Sequence, residues 1–412
     1  MKKLLLSILS FAFLTASAQN NNNAPSSYDV HDIKITGYLQ TQFQTAQSPG
    51  ITSFSGGDFA ENSDNRFIIR RGRLKIDRVD KYSSIVFQLD GTQNGVQLVD
   101  AFIQLREPKL KSLSLTAGLF NRPFGYNIVY SSGYRDFPER PRVFQTIMPR
   151  ERDIGVLAGY RPHNQLKFLT LEFAVINGSG LTSKDFDSKK DFIGNIAIKF
   201  DSLAHNKFHL NFGGSVYKGT LKNDTKTYYS STPGGFIENT NDDIKGKFLE
   251  RNYYGANLQL AYDNTFGATT FKTEYVAGKQ PGVASSNSLK GPYASQSFSV
   301  QPLTNLYARN FSGYYFWVTQ QIFKTKLEAL ISYDVYDPNT AVKGSDIGKA
   351  NTFTTAGDVK YSTLGYGLTY QVNDRIKFTV YNENVKNEST LLKEVPNDIR
   401  DDVFTARLQY RW

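Results

Sequence analysis

Apolar and polar residues alternate with a period of two along most of this chain. The first such segment, 32–45, alternates Ile33, Ile35, Leu39 and Phe43 with Lys34, Thr36, Gln40 and Gln42. A period of two predicts a β-strand, because successive side chains of a strand point to opposite faces. About sixteen segments show this pattern: 32–45, 66–78, 84–90, 99–106, 113–119, 154–160, 169–175, 192–200, 208–216, 254–262, 271–277, 314–318, 327–335, 362–370, 376–380 and 404–412.

The connections between these segments alternate in length. Tight turns such as Asp80-Lys81 and Asp263-Asn264 follow long polar stretches such as 47–65 and 219–249. Outer-membrane barrels have an even number of antiparallel strands, short periplasmic turns and long external loops. A secreted all-β adhesin or carbohydrate binder is the alternative, but a soluble sandwich has no reason to sort its loops by length. The pattern therefore predicts an all-β fold, a single transmembrane antiparallel barrel over 32–412.

Both ends of the chain fit export to an outer membrane. Residues 1–18 combine a basic start, a short apolar stretch and an Ala16-Ser17-Ala18 cleavage site, which predicts a signal peptide cleaved near Ala18. An amphipathic or buried N-terminal helix is the alternative. Residues 19–31 would then form a periplasmic N-terminal segment. The last strand has an apolar face that ends on Trp412, like the terminal signal read by the outer-membrane insertion machinery of Gram-negative bacteria.

Composition narrows the function classes. The mean hydropathy of −0.42 and the lack of a second long apolar run exclude a bundle of transmembrane helices. There is no cysteine, and the i, i+4 pair His205 and His209 precedes and enters a strand, where such positions lie ~13 Å apart, so neither a metal nor a cofactor is expected. The net charge of +10 falls to +8 without Lys2 and Lys3, and its basic residues are dispersed, which argues against nucleic acid as a partner.

Charged residues set the register of each strand, because a cation facing lipid near the bilayer midplane costs ~2–4 kcal/mol. In segment 66–78 this rule turns Arg71, Arg73 and Lys75 inward, and Arg70 then lies on the wrong face unless it sits at the external rim or follows a β-bulge. A barrel wall that is polar on almost every inward position predicts a water-filled channel. Other inward residues are Asp77, Asp100, Gln104, Arg106, Lys272, Glu274, Glu328, Asp334, Arg407 and Arg411.

The connection 121–152 is rich in arginine, with six arginines against three acids. If it folds into the barrel, its guanidinium groups would attract anions and repel cations. Alternatively they pair with wall acids such as Asp90, Asp100 or Asp334 and pin the loop, and both roles are compatible. The candidate pore residues that guide anions are Arg71, Arg73, Lys75, Arg122, Arg140, Arg142, Arg150, Arg152 and Arg407.

Several motifs resemble the phosphate-selective porin O and P family in its Bacteroidetes form. They are Phe67-Ile-Ile-Arg-Arg-Gly-Arg-Leu74, Asp100-Ala-Phe-Ile-Gln104, Ala117-Gly-Leu-Phe-Asn-Arg-Pro-Phe-Gly125, Glu139-Arg140 and Arg152-Asp-Ile-Gly155, with Glu274-Tyr275 and Gly313-Tyr-Tyr-Phe-Trp317 matching more loosely. The resemblance implies a sixteen-stranded trimeric porin with its third external loop, here 121–152, folded inward. Its phosphate-selective members are similar in using basic residues, including loop lysines, whereas this loop has only arginine.

We therefore expect an outer-membrane porin for passive diffusion of small hydrophilic, preferentially anionic solutes, with phosphate as one candidate. A general non-selective porin is the main alternative, and a barrel lipase is another. The sequence has no G-x-S-x-G motif, and His209 lies on an inward position beside Asn211 instead of on the outer wall. No catalytic residue is predicted.

Overall fold

The computed structural model describes residues 33–181, 185, 187–205, 207–284 and 304–412. The expected signal peptide 1–18 and the segment 19–31 lie outside the described residues. The described residues form eighteen strands and one short α-helix. The elements are β1 Ile33–Ala46, β2 Asn65–Val79, β3 Ser83–Thr92, β4 Gly95–Arg106, β5 Leu113–Asn121, α1 Arg142–Ile147, β6 Arg152–Tyr160, β7 Leu169–Ile176, β8 Asp191–Leu203, β9 Phe208–Lys222, β10 Thr227–Thr232, β11 Gly235–Thr240, β12 Phe248–Asn264, β13 Gly267–Gly282, β14 Leu306–Gln321, β15 Leu327–Asp337, β16 Tyr361–Gln371, β17 Ile376–Asn387 and β18 Val403–Arg411.

Sixteen of these strands close into an antiparallel barrel. Each barrel strand pairs with the next along the chain, β9 pairs with β12, and β18 returns to pair with β1. The predicted fold class and strand count are confirmed. The two remaining strands, β10 and β11, form a hairpin within the long connection 223–247, where β10 lies parallel to the start of β14. That hairpin was not predicted, because Thr227–Thr232 is polar on both faces.

The last residue fastens the closing seam of the barrel. The backbone N–H of Trp412 donates to the carbonyl of Gly37 at 3.1 Å, and the N–H of Gly37 donates back at 3.2 Å. A Cβ on Gly37 would lie 2.5 Å from the Trp412 ring, so only glycine leaves room for the indole. The C-terminal aromatic therefore has a structural role at the seam.

A β-bulge places two consecutive arginines on the same side of β2. Arg71 pairs with Gln40 and Ile69 pairs with Thr41, so Arg70 is the extra residue. Arg70 and Arg71 both turn inward to Glu139, so the bulge, and not a position at the rim, explains the placement of Arg70. A second β-bulge lies in β4. Gln88 of β3 pairs with Asp100 and Leu89 pairs with Leu98, so Val99 is the extra residue.

The inside of the barrel is not polar throughout, which corrects the expectation of a polar wall. The inward faces of β7–β9, β12–β15 and β17 carry apolar and aromatic residues, and the connection 122–151 packs against them. We call this the apolar side of the lumen. Its wall residues are Ala174, Ile176, Ile193, Tyr217, Tyr253, Val276, Phe311, Tyr315, Trp317, Leu330, Tyr336 and Tyr381. Within the described residues, no helix is both long and apolar enough to cross a membrane.

Candidate functional site

The connection between β5 and β6 runs inside the barrel. Its start is held by Glu274 of β13, whose carboxylate accepts the backbone N–H groups of Tyr126 at 3.1 Å and Asn127 at 3.0 Å. Gly125 precedes them with φ +60°, and a Cβ there would lie 1.7 Å from the Glu274 Oε1 atom. A glycine is therefore needed for the loop to approach this carboxylate.

Apolar side chains of the loop fill the apolar side of the lumen. Phe137 stacks on Trp317 with ring centroids 4.6 Å apart, and Phe144 meets Tyr315 edge to face at 6.1 Å. Each such buried side chain contributes about 1.5–3 kcal/mol by leaving water. The loop residues in this core are Phe124, Ile128, Phe137, Val143, Phe144, Ile147 and Met148.

The tip of the loop crosses the lumen to the seam strands. The carbonyl oxygens of Ser132 and Gly133 accept hydrogen bonds from Gln40 of β1 and Gln409 of β18, each at 3.0 Å. The carbonyl of Pro138 accepts one from Arg407 at 2.6 Å. The loop thus spans the inside of the barrel from one wall to the opposite one.

Three guanidinium groups converge on one loop carboxylate, Glu139. Arg70 donates to both of its oxygens at 2.8 Å, and Arg71 and Arg407 each reach it at 2.7 Å. Burial alone would raise the pKa of Glu139, but the three arginines hold it well below its usual range, so the carboxylate is ionised. This set, which we call the Glu139 cluster, carries a net charge of +2.

A second carboxylate of the loop binds two arginines. Glu151 accepts from Arg152 at 2.8 Å and also pairs with Arg140, and Arg152 extends to Asp100 of β4 at 3.0 Å. Although burial favours the neutral acid, Arg140 and Arg152 hold the pKa of Glu151 below its usual range. Burial lowers the pKa of Arg140 to about 10, which still leaves it charged at neutral pH.

Between these clusters and the wall lies a cavity of about 440 Å³. We call this region, bounded by β2–β4 and loop residues 139–151, the arginine side of the lumen. Five arginines and three acids line the cavity, a net charge of +2. The charged lining residues are Arg70, Arg71, Arg73, Arg140, Arg150, Asp90, Glu139 and Glu151.

Four of the nine predicted pore residues line this cavity: Arg71, Arg73, Arg140 and Arg150. Arg152 and Arg407 stand behind it, each bonded to a carboxylate of the lining. Lys75 lies further along β2 and pairs with Asp77 at 3.5 Å. These positions agree with a basic lumen, and they also agree in part with the pinning alternative, since Arg152 does pair with Asp100.

The remaining two of the nine, Arg122 and Arg142, lie away from this cavity beside other partners. Arg122 is buried against Asp153, to which it donates at 2.7 Å. Arg142 lies over the rings of Tyr361 and Phe54, at 3.8 and 4.3 Å from their centroids. Both are drawn to partners elsewhere in the lumen, which spacing along the chain does not show.

Sequence reasoning missed the two residues that organise the site. The sequence leaves Arg70 either at the external rim or behind a β-bulge and does not count it among the pore residues, yet its side chain is 24% exposed, lines the cavity and binds Glu139. Glu139 enters the sequence analysis as one of the three acids of the loop and as part of the Glu139-Arg140 motif, without a role in the site. The consecutive Arg70 and Arg71 were the available signal, because two adjacent charges within a membrane strand imply a bulge.

Among the residues that the structure describes, no group of three or more His, Asp or Glu side chains could hold a metal ion. The cavity offers guanidinium groups instead, which are suited to anions with planar pairs of oxygen atoms.

Comparison with known proteins agrees with this geometry. The sequence model of the phosphate-selective porin O and P family matches residues 50–412. No protein with a curated description matches the sequence.

Solved structures share the fold at low sequence identity. The outer membrane channel DcaP of Acinetobacter baumannii matches with a TM-score of 0.54 and 12% identity, over 92% of this chain and 97% of its own. An anion-selective porin from Comamonas acidovorans gives 0.54 and 10%, over 92% and 99%. OmpT of Vibrio cholerae in its trimer form gives 0.50 and 10%, over 92% and 99%.

Proposed function

Since this chain belongs to the phosphate-selective porin O and P family, we propose that its arginine side makes it a porin that prefers anions. It is an outer-membrane porin, and small hydrophilic solutes diffuse through its lumen without an energy source. The family and the fold fit a channel and not an enzyme.

The single observation that carries the anion preference is the Glu139 cluster. Three guanidinium groups share one carboxylate there, so the cluster keeps a charge of +2 at the wall of the cavity. A cavity of about 440 Å³ is roughly 9 Å across, comparable to the Debye length of ~8 Å at physiological salt. Salt therefore screens only part of this charge, and a passing anion is attracted while a cation is repelled.

Phosphate is a candidate solute within this preference. The planar forks of Arg70 and Arg71 suit the tetrahedral oxygens of phosphate as they suit the carboxylate of Glu139. A small carboxylate would use the same contacts. We expect both to slow the chloride current by occupying the cavity.

The test is the zero-current potential of the purified protein in a planar bilayer under a tenfold potassium chloride gradient. The proposal expects a potential displaced toward the chloride equilibrium value. A potential displaced toward the potassium value would refute the anion preference, and an absence of conductance would refute the channel.

A general non-selective porin is the second candidate, and one observation favours it. Arg73, Arg140 and Arg152 each pair with a carboxylate, which reduces the charge that a solute meets. The same gradient separates the two candidates, because a non-selective pore gives a zero-current potential near zero.

We further propose that the chain is exported with cleavage near Ala18, inserts through a terminal signal ending on Trp412, and assembles as a homotrimer surrounded by outer-membrane lipid. The family resemblance and the similarity to a trimer form of OmpT support the last point. N-terminal sequencing of the mature protein should begin at Gln19. Native mass spectrometry should give three chains, and a monomer would contradict the assembly.

A further inference from the structure

A row of lysines lies on the outer wall of the barrel, at the end that carries the long loops. Lys218 of β9 pairs in register with Asn252 of β12, and Asn252 pairs with Lys279 of β13, so both lysines stand at one level. Tyr217, next to Lys218, and Val276, three residues before Lys279, face the lumen core, so both lysines lie on the opposite, outward face. Lys218 and Lys279 are exposed and flank a single strand, which places their Cα atoms ~10 Å apart.

This level coincides with the edge of the hydrocarbon layer. About ten residue steps separate Lys218 from Phe208 at the periplasmic end of β9. A rise of ~3.4 Å per residue gives ~34 Å along the strand, and a tilt of ~40° converts this to ~26 Å of height. The apolar band of such barrels is ~25 Å tall, so the lysine ammonium groups lie where the headgroups of the outer leaflet begin.

The surface below the lysines suits an acyl chain. Tyr254 and Tyr275 face lipid and are 49% and 50% exposed. Tyr254 is the next outward residue after Asn252 on β12, and Tyr275 is the second outward residue from Lys279 on β13, so both lie further into the membrane than the lysines. Two outward positions beside these rings, Gly194 of β8 and Gly214 of β9, are glycines and carry no side chain. A Cβ on Gly194 would meet nothing within 4 Å. The wall is therefore recessed beside two aromatic rings.

The charge balance of this surface is positive. The Lys218 ammonium lies 4.6 Å from the centroid of the Tyr254 ring and is hydrogen-bonded to its hydroxyl, and Lys189 lies 5.2 Å from that of Phe248. Lys279 pairs with Glu250 at 2.9 Å, but these side chains are 60% and 61% exposed, so another anion competes readily for the lysine. Two further lysines beside this surface are each paired with an aspartate, Lys190 with Asp185 and Lys222 with Asp224.

We infer that Lys218 and Lys279 bind the phosphate-bearing headgroup of an outer-leaflet lipid, with an acyl chain lying along Tyr254 and the recess at Gly194. The chemistry is attraction of an anionic headgroup to two ammonium groups at the membrane surface, combined with apolar contact below them. This site lies outside the lumen and does not depend on the proposed anion preference.

The experiment is native mass spectrometry of the full chain with diphosphoryl lipid A, and with the same lipid after enzymatic removal of its phosphates. The wild type should retain the phosphorylated lipid and lose most of the dephosphorylated one. Each lysine should contribute about fivefold to the affinity for the anionic headgroup. The double variant Lys218→Gln/Lys279→Gln should therefore bind the phosphorylated lipid more than tenfold more weakly. Glu250→Gln should bind it more tightly, because a competing carboxylate is gone.

The matched control is Lys386→Gln, an outward lysine at the same rim whose neighbours include Asp398 and Asp402. It should retain the lipid as the wild type does, and all variants should keep the wild-type zero-current potential. The inference is overturned if the double variant binds the phosphorylated lipid normally, or if phosphate removal makes no difference. It is also overturned if the double variant breaks the oligomer, since the lysines would then belong to a subunit contact.

Discussion

The two sides of the lumen handle charge in opposite ways. On the apolar side, the charged wall groups are bonded to groups of the loop: Glu274 accepts two backbone N–H groups, and Lys272 pairs with Asp136. On the arginine side, Glu139 is shared among three arginines, and positive charge is left over. The difference indicates a division of labour, in which one side fixes the loop and the other side acts on the solute.

The largest effect should come from breaking the apolar side. Phe144 is fully buried between the loop and Tyr315, so Phe144→Ala should remove about 3–5 kcal/mol from the docking of the loop. The barrel itself is closed by backbone hydrogen bonds and should persist. Single-channel conductance should rise several-fold with more current noise as the loop leaves the lumen.

The control for that change is Phe212→Ala, on the lipid face of β9, which is 39% exposed. It removes the same side chain without touching the loop and should leave the conductance unchanged. An unchanged conductance in Phe144→Ala, with the protein still folded, would mean that apolar packing does not hold the loop.

An intermediate effect should come from removing the shared carboxylate. Glu139→Gln raises the charge of its cluster from +2 to +3, so the preference for chloride over potassium should increase a few-fold. Phosphate should also block the chloride current at lower concentration, because it no longer competes with a fixed carboxylate. Asp153→Asn is the matched control, since Asp153 pairs with the distant Arg122. A weaker anion preference in Glu139→Gln would show that Glu139 chiefly positions the arginines.

The smallest effect should come from mild acidification. The pKa values of Glu139 and Glu151 are held below the ordinary 4.5, so both stay ionised at pH 5. Their contribution to loop docking is complete above the unfolded pKa of 4.5 and is lost as the pH falls below it through the lower folded value. Zero-current potentials measured from pH 8 to pH 5 should therefore show no step assigned to these residues. A step in that range that disappears in Glu139→Gln would contradict the account.

The sequence predicts the barrel because lipid and water separate the two faces of each strand. In β18, for example, Phe404, Leu408 and Tyr410 face lipid while Arg407 and Gln409 face inward, and alternation alone shows this. The same logic fails for β14, where Tyr314, Tyr315, Phe316 and Trp317 are aromatic on both faces. Such a strand needs an apolar partner inside the barrel, and that partner is a loop distant in sequence.

The sequence predicts the basic composition of the site but not the partners of each arginine. Six arginines in 121–152 indicated a basic lumen, but their partners depend on where the loop crosses the barrel. Arg142 follows Arg140 by two residues and yet lies over Tyr361, outside the cavity of about 440 Å³ that Arg140 helps to line. The sequence allows either a bulge or a rim position at Arg70, and only the pairing of β2 with β1 decides between them.

The most direct test removes one guanidinium group that lines the cavity or, in a second variant, one that lies away from it, and compares the zero-current potentials. Arg70→Gln takes one guanidinium from the cavity, and Arg142→Gln takes one from beside Phe54 and Tyr361. In the same potassium chloride gradient, Arg70→Gln should move the potential well toward zero while Arg142→Gln leaves it near the wild-type value. Equal shifts in the two variants would contradict the account, because net charge and not the arginine side would then set the selectivity.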